Sequence, residues 1–129
     1  MKKEPDNTKY PEVKLTKKII GIAFKVYNSL GYGYPERIYQ KAFAVELNNI
    51  NLKYEKEKYS KILYDGRIAG RFFLDFLVGN KIAVELKVRR EIYETDWIQI
   101  LHYLKATGLK VGILLVFSKS GVLIKRLIK

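Results

Sequence analysis

The segment from Phe72 to Arg89, FFLDFLVGNKIAVELKVR, constrains the fold more than any other stretch of the chain. It reads as two apolar strands joined at Gly79-Asn80, and each strand carries charge where a plain strand would not. Asp75 interrupts the first; Glu85 and Lys87 interrupt the second. A carboxylate among apolar strand residues is costly unless something pairs with it, and a divalent cation is the usual reason to hold two together. Side chains alternate faces along a strand, so the loop length decides whether these charges meet. A two-residue loop would set Asp75 against Val84 and turn Glu85 to the other face. A three-residue loop, Gly79-Asn80-Lys81, with a residue at positive φ forming a bulge, sets Asp75 against Glu85 and Phe73 against Lys87. In that register Phe72, Leu74, Phe76, Val78, Ile82, Val84, Leu86 and Val88 share an apolar face. Arg71, Phe73, Asp75, Leu77, Ala83, Glu85, Lys87 and Arg89 share the other. This partition predicts the three-residue loop. Directly opposed carboxylates repel, so the motif alone leaves two readings open. One is a metal site; the other is a salt cluster in which Lys87, Arg89 or Arg71 neutralises the acids.

The rest of the chain narrows the field. Its 129 residues suit one domain with a core of several strands and helices. No run of 18 apolar residues occurs, so no membrane span is expected. The first residues, MKKEPDNTKYPEVK, carry basic side chains but no apolar segment of the kind a secretory signal needs. The absence of cysteine excludes disulfides, zinc-thiolate sites and iron–sulfur clusters, and fits a cytoplasmic location. A net charge of +12, from 25 Lys and Arg against 13 Asp and Glu, suggests a polyanionic partner, most simply nucleic acid. A basic surface kept for solubility is the competing reading. An anionic membrane is a poorer fit, because no single segment sets basic residues opposite a broad apolar face.

Periodicity gives the element order. Residues 1–14 read as a loose tail and 15–129 as one domain. A helix is predicted from Leu15 to Leu30, with Ile19, Ala23, Val26, Tyr27 and Leu30 inward and Gly31 as its stop. The bend GYGYPE follows, and Pro35 suits the first turn of a second helix reaching Asn49. Ile38, Ala42, Val45 and Leu47 are its expected core residues. Leu52 to Tyr64 reads as a strand, and Asp65-Gly66 as a hairpin turn into the motif strand. A third helix is predicted from Thr95 to Ala106, with Trp97, Ile98, Leu101 and Leu104 as its apolar stripe and Gly108 as its stop. Lys110 to Phe117 reads as a buried strand and Val122 to Ile128 as the last. The order α-α-β-β-β-α-β-β implies a crossover and a mixed central sheet with helices on both faces.

This α/β order resembles the PD-(D/E)XK, restriction-endonuclease-like core. More specifically, the chain resembles the GxxExxY family of that superfamily. Gly33-Tyr34-Pro35-Glu36-Arg37-Ile38-Tyr39 fits the naming motif at its three fixed positions, and Asp75 with Glu85-Leu86-Lys87 fits the acid and Glu-x-Lys blocks. Trp97 to Leu104 followed by ATGLKVGIL fits the downstream helix and strand. Leu74 stands where the superfamily name places a proline. The resemblance covers residues 15 to 128 and implies a metal-dependent nuclease, with DNA as the expected substrate and Mg²⁺, or Mn²⁺ in its place, as cofactor. Asp75 and Glu85, with the Leu86 carbonyl, would be metal ligands, and Glu36 a further carboxylate beside them. Lys87 would orient water or neutralise charge at the phosphate. Gln99 and Tyr103, four apart on one helix face, would support the site and contact DNA. Tyr39 is expected to pack behind Glu36. His102, the sole histidine, is expected on the surface or in a structural role. Lys17, Lys18, Lys25, Lys125 and Arg126 are candidate phosphate contacts, though each alone reads first as a solvated charge. Two other functions fit the same residues: a non-catalytic nucleic-acid- or protein-binding module on this scaffold, and a homodimeric junction-resolving endonuclease.

Overall fold

The computed structural model describes residues 11–129. The expected tail over residues 1–14 therefore lies mostly outside the described residues, although Val13 and Lys14 already belong to the first helix. The elements are α1 (Val13–Leu30), α2 (Glu36–Asn49), β1 (Tyr54–Tyr64), β2 (Arg67–Val78), β3 (Ile82–Val88), α3 (Glu94–Thr107), β4 (Val111–Ser118) and β5 (Gly121–Ile128). Order and type are those the periodicity predicts, with boundaries within about two residues. The stops are the expected ones. Gly31 and Gly108 follow α1 and α3 at φ 69° and 77°, each donating its N–H back into the last turn of its helix.

The sheet runs β1-β2-β3-β4-β5. Only β3 and β4 pair in parallel, with Glu85 opposite Leu114 and Lys87 opposite Val116. A parallel pair needs a long crossover, and α3 supplies it. α1 and α2 cover one face, burying Ile19, Ala23, Phe43 and Leu47 against Phe76, Val84, Ile113 and Leu115. α3 covers the other, burying Ile100, Tyr103 and Leu104 against Leu74, Ala83, Leu114 and Val116. Strands covered on both faces are apolar throughout, which is why β4 reads VGILLVFS with every residue buried. Gly112 sets the approach of α3: a Cβ there would lie 2.2 Å from the Ile100 side chain.

The two inner helices turn different faces from those expected. α2 buries Tyr39, Phe43, Ala44 and Leu47, while Val45 is 55% exposed and Ile38 only half-buried. The stripe Tyr39-Phe43-Leu47 offers more apolar area than one built on Ile38 and Val45. Its Phe43 ring meets Phe76 at 5.1 Å. On α3, Ile100 and Tyr103 join Leu104 inside, while Trp97 and Leu101 sit at the margin.

The motif hairpin has the register of the three-residue loop. Val78 pairs with Ile82, Leu77 with Ala83 and Phe76 with Val84. Gly79 and Asn80 both adopt left-handed backbone, φ 61° and 57°, and the Lys81 N–H closes the turn on the Val78 carbonyl at 3.0 Å. The expected single apolar face does not hold along all of β2. Phe76 and Val78 pack under α1 and α2, but Leu74 and Phe72 pack with α3. The cause is local. Glu57 on β1 adopts φ 52°, and the β1–β2 pairing skips it between Lys56↔Phe76 and Lys58↔Leu74. A left-handed non-glycine residue in mid-strand breaks the period-two alternation. Beyond Asp75 the alternation restarts on the opposite face.

Candidate metal and phosphate site

Asp75 and Glu85 meet where β2 and β3 part. The β2–β3 ladder ends at Phe76↔Val84. One residue further on, the side chains take over the backbone's hydrogen bonds. The Asp75 N–H donates to Glu85 Oε1 at 2.8 Å, and the Leu86 N–H donates to Asp75 Oδ2 at 2.8 Å. The two carboxylates thus span a fork between strands, each held by the other strand's amide. Two amide donors on opposite strands fix both carboxyl rotamers.

The electrostatics are those of acids short of cations. Burial and then the Asp75 charge push the Glu85 carboxyl up to about 8, from 4.5. Burial also raises Asp75, against the lowering effect of the Leu86 N–H and of a hydrogen bond from Gln40. Glu36 is raised, again by burial first, against the Lys87 charge. Three carboxyls that hold their protons too tightly at one spot mark a place where a cation would be stabilising.

Lys87 stands among them. Its ammonium is 3.7 Å from Glu85 Oε2 and 3.6 Å from Glu36 Oε1. Glu36 Oε1 is buried and accepts no hydrogen bond. Its position is set by the preceding bend. The Tyr39 hydroxyl donates to the Gly31 carbonyl at 2.6 Å, and the ring stacks on Phe117 with centroids 4.5 Å apart. Tyr39 therefore sits in the core, fastening the GYGYP bend to the sheet. That contact places the first turn of α2, and Glu36 with it, over Lys87.

Asp75, Glu85, Lys87 and Gln99 line one cleft of about 450 Å³, with Glu57, Phe73 and Leu74 on its rim. Tyr103 is not in that wall. One turn beyond Gln99, it is 1% exposed and packs in the α3 core, where burial raises its phenol. The His102 ring packs tilted against Phe72, centroids 5.0 Å apart, outside the cleft. Lys125 lies over the Trp97 ring at 5.1 Å, and Lys25 pairs with Glu46 at 2.9 Å.

Three features escaped the sequence reading, which had named Arg89 only as a partner for the hairpin acids. Gln40 reaches Asp75 from α2; its place four residues after Glu36, on the same helix face, was the available signal. Arg89 and the buried Asp96 form a two-pronged pair at 3.1 and 3.2 Å that ties the end of β3 to the first turn of α3. Glu57 reaches the rim only because of its left-handed backbone, for which the sequence holds no signal.

The donor set suits a hard divalent cation, being all oxygen: Asp75, Glu85 and Glu36 Oε1, which accepts no hydrogen bond. Among the described residues no three acidic or histidine side chains already converge as a metal shell. Lys87 lies between Glu36 and Glu85.

Comparison with known proteins bears on the family and the fold. Residues 13–127 match a family profile described as the PD-(D/E)XK nuclease superfamily. The solved structures that match include one reported as "Crystal structure of SSO0001", with a TM-score of 0.55 and 18% identity over 95% of this chain. This chain spans 59% of that one, and at such identity the likeness is one of fold. A search of curated proteins found no match.

Proposed function

The chain belongs to the PD-(D/E)XK nuclease superfamily, and we propose that it is a nuclease hydrolysing phosphodiester bonds in DNA with Mg²⁺ or Mn²⁺ as cofactor. The observation that carries this reading is the fork: a buried Glu85 opposed to a half-buried Asp75, both with raised pKa values, and an ammonium 3.7 Å from Glu85. Asp75 and Glu85 would hold the cation, with Glu36 Oε1 and the Leu86 carbonyl as further oxygen donors. The cation supplies charge neutralisation at the scissile phosphate and an acidified water.

The remaining work falls to side chains already in place. The Lys87 ammonium, compact and carrying three donors, can orient the attacking water or stabilise charge on a phosphate oxygen. Gln99 offers an amide from the α3 wall of the cleft. Tyr103 holds α3 against β2 and so fixes where Gln99 stands. The Arg89–Asp96 pair serves the same end from the other side. The GxxExxY resemblance supports the role given to Glu36, since Tyr39 and the glycine bend position that carboxylate.

The direct test is incubation with single-stranded, duplex and branched DNA, in Mg²⁺ or Mn²⁺ and in EDTA, beside Glu85→Ala. Cation-dependent cleavage that Glu85→Ala loses is the expected result. Binding without cleavage under every condition would instead establish a non-catalytic module on this scaffold. Preferential, symmetric cleavage of the branched substrate by a dimer would establish the junction-resolving form.

A further inference from the structure

The β1–β2 hairpin carries an uncovered stripe that begins at the cleft. Tyr59 and Phe73 are direct cross-strand partners, and so are Lys61 and Arg71 two residues further out. Spacing of two puts all four on one face. The opposite face, with Phe72 and Leu74, packs under α3. The stripe itself faces water: Tyr59 is 46% and Phe73 58% exposed, and Lys61 and Arg71 are exposed as well. The two rings lie 5.7 Å apart and tilted by 37°. Phe73 is also part of the cleft rim, beside Asp75. Leading away from the carboxylates, the order is therefore an aromatic pair, then a basic pair.

We propose that this stripe is the track for a single-stranded stretch of DNA, with Tyr59 and Phe73 stacking an unpaired base next to the scissile phosphate. The inference rests on the nuclease reading for the position of that phosphate, and deepens it by naming the substrate class. The chemistry selects the occupant. Lys61 and Arg71 call for a polyanion, as does the chain's net charge of +12. Exposed aromatic faces call for π-surfaces that are themselves free. A duplex keeps its bases stacked inside and shows phosphates and groove edges, whereas a single strand can splay a base onto a ring. Both kinds of residue alternate with the protein-facing side, so a strand following the hairpin meets ring and cation in turn. A second copy of this chain would satisfy the rings but would set two basic pairs against each other.

Binding in EDTA tests this without requiring cleavage. A fluorescein-labelled oligothymidylate and its duplex counterpart are titrated at low salt by fluorescence anisotropy. Leucine keeps the apolar bulk at these positions but removes the flat ring. The double variant Tyr59→Leu with Phe73→Leu should lose roughly tenfold or more in single-strand affinity, the scale of one stacked base, with duplex affinity unchanged. Tyr59→Phe and Phe73→Tyr should bind like the wild type. Circular dichroism should show all variants folded, since both rings are half-exposed. Equal single-strand affinity in the leucine variant would overturn the proposal. So would a wild-type dimer in sedimentation that the leucine variant disperses, because the face would then belong to a second copy. If the wild type cleaves nothing but the single-strand loss is as expected, the nuclease reading fails and the stacking track stands.

Discussion

β4 buries all eight of its residues and β3 buries Ile82 through Leu86, whereas none of the eleven residues of β1 is buried. β2 belongs to both regions. Phe76 to Val78 lie inside and pair on both edges; Arg67 to Phe73 pair only with β1 and are exposed or half-buried. The chemistry sits at the joint between these regions. A fully buried strand could not supply acids to a substrate, and a fully exposed one could not raise their pKa values. At Asp75 the sheet opens just far enough for two carboxylates to replace backbone partners while remaining largely out of water. The buried part serves as a rigid mount and the hairpin as the surface that meets the ligand.

The sharpest way to break this contrast is at Lys87, on the buried side of the joint. Lys87→Ala leaves both opposed carboxylates in place. Cleavage in Mg²⁺ should fall ~10²–10⁴-fold while thermal stability stays near that of the wild type. Lys87→Arg should not restore the rate, because a planar guanidinium cannot replace a compact ammonium. If Lys87→Ala unfolds instead, the hairpin charges form a structural salt cluster.

A next test compares glycines in the two regions. In Gly112→Ala the new methyl meets Ile100, so α3 must shift, and stability should drop by about 1–3 kcal/mol in urea unfolding. Gly70→Ala, on the hairpin, has nothing within 4 Å and should be neutral within about 0.5 kcal/mol. Similar losses at both positions would remove the distinction between mount and surface.

Asp75 probes the joint itself. Asp75→Ala leaves the buried Leu86 N–H without its acceptor, which costs about 1–3 kcal/mol; Asp75→Asn keeps an oxygen there and should be milder. Both variants should lose cation-dependent cleavage. Equal stability of the two would mean that the fork closes up when the carboxylate is gone.

The last test is one of pH. The Glu85 carboxyl rises from 4.5 to about 8 on folding, so between those values the native protein holds a proton that the unfolded chain has released. Stability of the cation-free protein should therefore be greatest below 4.5 in respect of this group and decline as pH climbs to about 8. Asp75 and Glu36 are raised too and act in the same direction. Glu85→Gln should flatten that decline. Urea midpoints in EDTA across the window would show it, and a wild-type midpoint that climbs with pH would contradict it.

Strand alternation and turn chemistry are local properties, so the sequence by itself determined the element order, the three-residue loop at Gly79 and the opposition of Asp75 to Glu85. Glycine stops and the Asp65-Gly66 turn were legible for the same reason: each needs a backbone conformation that few residues adopt. Packing is not local. Periodicity pointed to Ile38, Ala42, Val45 and Leu47 on α2, and the neighbouring Phe76 and Phe117 rings instead draw in Tyr39 and Phe43 beside Leu47. The change of face at Asp75 lies opposite Glu57, a residue on another strand whose left-handed backbone no propensity foretells. Gln40, Arg89 and Asp96 join the site through contacts between elements that the chain brings together only on folding. Tertiary structure also split the pair at Gln99 and Tyr103. Their shared helix face spans the edge of the α3 core, so one side chain lines the cleft while the next turn is buried beneath β2.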